Sequence, residues 1–101
     1  MRSNQEKVEQ FLEENEMNAT TAFRLIDVMA EIGEIASDAA KSSEYGMNEE
    51  NLEVKEDEIG DALFSLLSLA SDLEIDADKA LQKSLEKYGS RIDETGDAGS
   101  E

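Results

Sequence analysis

Glu31-Ile-Gly-Glu34 and Glu58-Ile-Gly-Asp61 are near copies of one phrase, each setting two carboxylates three residues apart around an apolar residue and a glycine. On a helix, residues three apart share a face, with Cβ atoms about 5–6 Å apart. Two such helices laid side by side bring four carboxylates around one small space, where they repel one another unless a cation lies among them. The chain has no His and no Cys, so every protein ligand there is an oxygen. That donor set selects Mg²⁺ or Mn²⁺, with Ca²⁺ as a further candidate, over zinc or copper. Mg²⁺ keeps waters and shares itself with substrate phosphates, so the matching reaction is metal-assisted attack of water on a phosphoryl centre.

Spacing alone leaves a second reading open. With 26 acidic residues in 101, pairs three apart arise readily, and Glu6/Glu9, Glu13/Glu16, Glu50/Glu53 and Glu53/Glu56 share the pattern. A solvated, salt-tolerant face would carry such pairs too. Two features favour a site. Gly33 and Gly60 occupy the same slot of both phrases, although interior helical Gly costs roughly 1 kcal/mol relative to Ala; this implies close backbone approach or room for a ligand. Glu58 and Asp61 also stand just ahead of an apolar run rather than inside a charged tract.

The elements that must position these groups are helical. There is no Pro and no strand-like alternation. The pattern predicts four helices, at 4–14, 18–43, 49–73 and 76–92, the second capped by Asn18 or Thr20 and the fourth by Asp76. A loop at 42–51 contains Gly46 as a stop and Asn48 as the next cap. On the second helix Leu25, Val28, Met29, Ile32, Ile35, Ala36 and Ala39 form the expected core stripe, with Asp27, Glu31, Glu34 and Asp38 opposite it. The third helix is apolar nearly all round, through Leu63, Phe64, Leu66, Leu67, Leu69 and Ala70, with a polar gap at Glu58, Asp61, Ser65, Ser68 and Asp72. One short chain offers too few neighbours to bury such a helix. The expectation is an all-α, four-helix domain over residues 1–92, assembled as a homo-oligomer, dimer or tetramer, with a flexible acidic tail at 93–101.

The formal net charge is −17, which argues against a nucleic-acid partner. It also makes the chain repel itself in dilute salt, a cost that shrinks near 1 M, where the screening length is about 3 Å; a salt-rich cytoplasm is the expected setting. No run is apolar enough to span a bilayer, and the opening Met-Arg-Ser-Asn-Gln-Glu is not a signal peptide. Against this acidity, Lys79, Lys83, Lys87 and Arg91 follow one another at intervals of four. They form a cationic stripe that either pairs within its own helix, for instance with Asp78 and Glu86, or neutralises a polyphosphate. Lys41 and Tyr45, closing the second helix, are candidates to meet a phosphate and a base.

Quartet, loop and basic helix together resemble the MazG-like nucleotide pyrophosphohydrolase family, whose signature is E-x-x-E, a variable gap, then E-x-x-D. Asp61-Ala-Leu-Phe64 resembles the family's continuation, and Ala80-Leu81-Gln82-Lys83 through Glu86-Lys87-Tyr88 to Arg91 resembles its last helix. The similarity covers roughly residues 20–92, and the acidity resembles members from salt-loving archaea. The resemblance implies an obligate homo-oligomer that hydrolyses nucleoside triphosphates, surplus or non-standard, to monophosphate and pyrophosphate. It implies Glu31, Glu34, Glu58 and Asp61 as Mg²⁺ ligands, one of the first pair, with Glu34 the choice, as the group that orients or deprotonates the attacking water, and Lys87 and Arg91 as phosphate contacts; Lys41 and Lys83 join the substrate side by their charge and placement alone. Phosphoribosyl-ATP pyrophosphohydrolase and a non-catalytic acidic helical assembly that binds nucleotide or a protein are the alternatives. Leu85 stands where some members carry Asn, and Ser65 where some carry an aromatic; both positions bear on nucleotide recognition.

Overall fold

The computed structural model describes residues 3–97, which are helical and contain no strand. Helix α1 spans Asn4–Glu14, α2 Thr21–Ser42, α3 Glu56–Asp72 and α4 Ala77–Thr95, with a short 3-10 turn at Glu49–Asn51.

Local chemistry sets most of the ends. Ser3 Oγ accepts the Glu6 N–H at 3.1 Å while the Glu6 carboxylate accepts the Ser3 N–H at 2.9 Å, a reciprocal capping box. Thr20, rather than Asn18, opens α2 by accepting the Phe23 N–H at 3.1 Å. Asp76 caps α4 by accepting the Lys79 N–H at 3.1 Å. That helix stops where Gly96 turns left-handed (φ 79°), a conformation without steric cost for glycine. It therefore runs three residues into the segment expected as tail; residues 98–101 of that segment lie outside the described residues.

The expected helix from residue 49 is where the structure departs. Residues 52–55 are not helical, and α3 begins only at Glu56, with Lys55 extended before it. The sequence there is helix-compatible, but tertiary bonding overrides propensity. The Glu53 N–H donates to Ser42 Oγ at 2.8 Å, fastening this segment to the end of α2. The preceding loop is held by buried Ser43, whose Oγ donates to the Ala39 carbonyl at 2.6 Å and accepts the Gly46 N–H at 3.0 Å. Asn48 makes no side-chain cap. Glu58, in the first turn of α3, accepts the Lys55 N–H at 2.9 Å instead.

Helices α2 and α3 run antiparallel and form the main packing layer; α1 covers a second side of α3. Val28, Leu67 and Leu69 are the buried apolar centre, and Phe11 meets Phe64 edge-to-face with ring centroids 5.9 Å apart. Helix α4 has no buried residue. It leaves a cleft against α3 lined by Leu66, Leu73, Ala77 and Leu81 near the connecting turn. No helix among the described residues is long and apolar enough to cross a membrane.

Exposed apolar side chains mark the other flank of the layer. Leu25, Met29 and Ile32 on α2, and Ile59, Leu63 and Leu66 on α3, are 47–63% exposed. Helical phase turns both trios away from the motif carboxylates. Leu67, by contrast, is consumed inside the chain.

Gln5 ties the first helix to the α3–α4 corner. Its Nε2 donates to Ser71 Oγ at 3.2 Å and to the Ile75 carbonyl at 2.8 Å, and its Oε1 accepts the Ala77 N–H at 2.7 Å. Gln5→Ala strands a partly buried N–H, a loss of about 1–3 kcal/mol. The expected outcome is a fall of several degrees in the midpoint of a circular-dichroism melt; an unchanged midpoint would show that the corner holds without this clamp.

Candidate carboxylate groove

The second helix is rotated from its expected setting. Its buried line runs through Val28, with Ile35 and Ala39 half-buried beside it, while Leu25, Met29 and Ile32 stay exposed. Asp27, Glu31 and Asp38 are consequently half-buried against α3 rather than opposite the core. The apolar stripe is wide enough for two settings, and contact with the polar line of α3 selects this one.

The antiparallel register can be read along the contact. Arg24 Nε meets Asp72 Oδ2 at 2.9 Å, and Ser65 Oγ donates to Asp27 Oδ2 at 3.0 Å. Further along, Glu31 lies within electrostatic reach of Glu34, Asp61 and Asp27, and Asp38 shares a side-chain hydrogen bond with Glu58. The groove ends in a cavity of about 290 Å³ lined by Asp38, Lys41, Ser42, Glu53 and Lys55. At its other end a cavity of about 300 Å³ opens beside the α1–α2 connection, lined by Phe23, Asp27, Phe64 and Ser65 among others. From Asp27 to Lys41 the groove follows about 21 Å of helix.

Both motif couples thus reach one groove, but not around one point. Glu31 and Asp61 face each other across the helices, Glu34 stands exposed beside them, and Glu58 is drawn toward Asp38. Among the described residues no three acidic side chains already form a closed cage for an ion. The donor chemistry nevertheless fits a hard divalent cation: all ligands are oxygen, and the groove concentrates uncompensated negative charge. Gly33 and Gly60 have no atom within 4 Å of where a Cβ would stand, so neither serves a close backbone approach within the chain; open space remains at both.

The basic residues divide. Lys41 lines the cavity at the groove's end, and Lys55 joins it there. Lys55 was not foreseen, because a continuous third helix hides it; the run Glu56-Asp57-Glu58, an acidic first turn, was the available signal for a helix start beside it. Lys83, Lys87 and Arg91 remain on α4, which has no fully buried residue. Lys87 Nζ lies 4.9 Å and the Arg91 guanidinium carbon 5.7 Å from the Tyr88 ring centre. Tyr45 stands exposed in the loop with a left-handed backbone (φ 58°), beside Glu44 and Gly46 in the same region.

Two carboxyls register the crowding. Partial desolvation, then Glu34, Asp61 and Asp27, hold the Glu31 carboxyl above the ordinary glutamate range. The hydrogen bond with Asp38 raises Glu58, against the lowering effect of the Lys55 N–H. A carboxyl raised on folding binds its proton more tightly in the folded than in the unfolded state. Its contribution to stability is therefore present at and below the ordinary glutamate pKa and lost as pH climbs through the raised one. The metal-free protein should melt at falling temperature across that window, and Glu31→Gln with Glu58→Gln should flatten the slope. A slope identical in the double variant, measured in chelator by thermal melts, would contradict this assignment.

Comparison with known proteins fits this arrangement. No curated protein and no solved structure matches the chain. The MazG nucleotide pyrophosphohydrolase domain family matches residues 19–95, which includes both acidic couples, the groove and α4, and leaves α1 outside. The chain belongs to the MazG nucleotide pyrophosphohydrolase domain family.

Proposed function

We propose that this chain is a Mg²⁺-dependent nucleoside triphosphate pyrophosphohydrolase, with Mn²⁺ as an alternative ion, acting as a homo-oligomer. The observation that carries the reading is the meeting of the two acidic couples across α2 and α3, with Glu31 beside Asp61. Glu31, Glu34, Glu58 and Asp61 would hold the ion. When bound, it would neutralise the carboxylates and polarise phosphoryl oxygens.

The protein's own groups divide the remaining work. Water attacks the α-phosphorus, a new P–O bond forms, and the α–β bridging P–O bond breaks. The products are a nucleoside monophosphate and pyrophosphate. Glu34, exposed on the groove rim, orients the water and takes its proton. Lys41 and Lys55 stand at the end where the departing pyrophosphate charge can be met. Lys83, Lys87 and Arg91 serve the substrate once α4 closes over a groove, its own or that of a second copy.

The exposed Leu25, Met29, Ile32, Ile59, Leu63 and Leu66 form an apolar face that supports the homo-oligomer reading. Because it lies away from the acids, a second copy can cover it without closing the groove. Leu63→Asp should bring the light-scattering mass down to that of one chain with helicity retained; an unaltered mass would place the interface elsewhere.

Activity is tested by pyrophosphate release from a panel of nucleoside triphosphates and phosphoribosyl-ATP, with Mg²⁺ in concentrated KCl to screen the −17 charge. Glu31→Gln and Asp61→Asn should each lower kcat about a hundredfold while the far-UV spectrum is unchanged. Near-native rates in either variant would remove the groove from catalysis.

A further inference from the structure

The cavity at the α1–α2 connection has a chemistry unlike the Lys41 end. Its apolar walls include Phe23, Met17 and Phe64, and Phe64 is braced by the Phe11 ring of α1. Two carboxylates, Asp27 and Glu16, line it. Arg24, the single cation among its lining residues, is turned to Asp72 at 2.9 Å and to the Met17 carbonyl at 2.9 Å. The Ser68 hydroxyl is spent on the Phe64 carbonyl at 2.8 Å, and Ser65 donates to Asp27 Oδ2 at 3.0 Å. Such a pocket repels phosphate. It accepts a flat ring against the phenyl walls, and Asp27, oriented by Ser65, offers its other carboxylate oxygen to a ligand donor.

We propose that this cavity receives the nucleoside end of the substrate and that Asp27 makes it select bases carrying an exocyclic amino group over their oxo counterparts. The proposal rests on the nucleotide reading of the groove. The polyphosphate then lies over Glu31 and Asp61 and ends at Lys41 and Lys55, so that the order of pocket, acids and cations along α2 matches the order of base, scissile phosphates and leaving group. An oxo base sets a carbonyl oxygen against the Asp27 carboxylate, where two acceptors oppose each other; an amino base hydrogen-bonds it. Helix α1, outside the family-matched segment, contributes the brace and the connection that close this end. Ribose hydroxyls are also donors, so the sugar is the other source of the same contact.

The test is equilibrium binding of α,β-methylene triphosphates, which cannot be cleaved at that bond, to the full chain with Mg²⁺. The probes are the cytidine/uridine and adenosine/inosine pairs, each as ribose and deoxyribose. The amino member of each pair should bind about 10–100-fold more tightly. In Asp27→Asn, whose amide can donate as well as accept, that ratio should fall to within a few-fold or invert. Ser65→Ala, which frees the Asp27 side chain, should reduce it and provides a second variant if Asp27→Asn does not fold. Equal binding of amino and oxo members, or a ratio untouched in both variants, overturns the proposal. A loss that follows ribose against deoxyribose instead of the base assigns Asp27 to the sugar and also overturns it. Selective binding without pyrophosphate release from CTP or ATP would sink the catalytic reading and leave this one standing; turnover with no amino preference does the reverse.

Discussion

Burial along the α2–α3 contact must hold together two helices that repel each other at one edge. Val28 and Leu69 supply apolar burial in this layer, while the same layer forces Asp27, Glu31 and Asp38 against Glu58 and Asp61. The two effects share one register: the phase that buries Val28 also turns the acids inward. A helix setting that buried Leu25, Met29 and Ile32 would have sent the carboxylates to solvent. The groove exists because the packing tolerates like charges in return for apolar burial and a few well-formed polar bonds.

Those polar bonds punctuate the contact at intervals. Arg24 with Asp72 and Asp27 with Ser65 fasten one stretch, and Ser42 with the Glu53 N–H fastens the other. Between them the charge of Lys55 reaches Glu58, while Glu31 is crowded by Glu34, Asp61 and Asp27. Compensation is left to the ends: the acidic first turn of α3 sits on the positive end of its own helix dipole, and the lysines line the exit. An arrangement that leaves its centre uncompensated is suited to a cation and a polyanion arriving together, because each makes the other's binding favourable.

The outer face answers to different physics. The leucines, isoleucines and methionine exposed on α2 and α3, and the apolar stripe of Leu81, Leu85, Tyr88 and Ile92 on α4, are what remains when one 101-residue chain cannot cover three long amphipathic helices. That face lies on the opposite side of the layer from the acids, so the two surfaces are separate. Helix α4 keeps a strict apolar period yet has no fully buried residue in the single chain.

Much of this was legible residue by residue. The caps at Thr20 and Asp76, the turn at Gly46, the four helices and the paired acids follow from short-range rules, because each depends on hydrogen bonds or periodicity within a few residues. The family likeness was legible for the same reason, since it rests on local spacing. Which flank of α2 faces α3 was not. Its apolar stripe is broad, so the choice belonged to the facing helix, and with it went the burial of Asp27, Glu31 and Asp38. The late start of α3 and the arrival of Lys55 at the groove depended on Ser42, eleven residues upstream of Glu53, competing for a backbone N–H. Local composition determined which side chains were available for chemistry; only the antiparallel docking of α2 on α3 decided which of them share a space, because that choice is made by contacts between residues 20 to 48 positions apart, from Asp38–Glu58 to Arg24–Asp72.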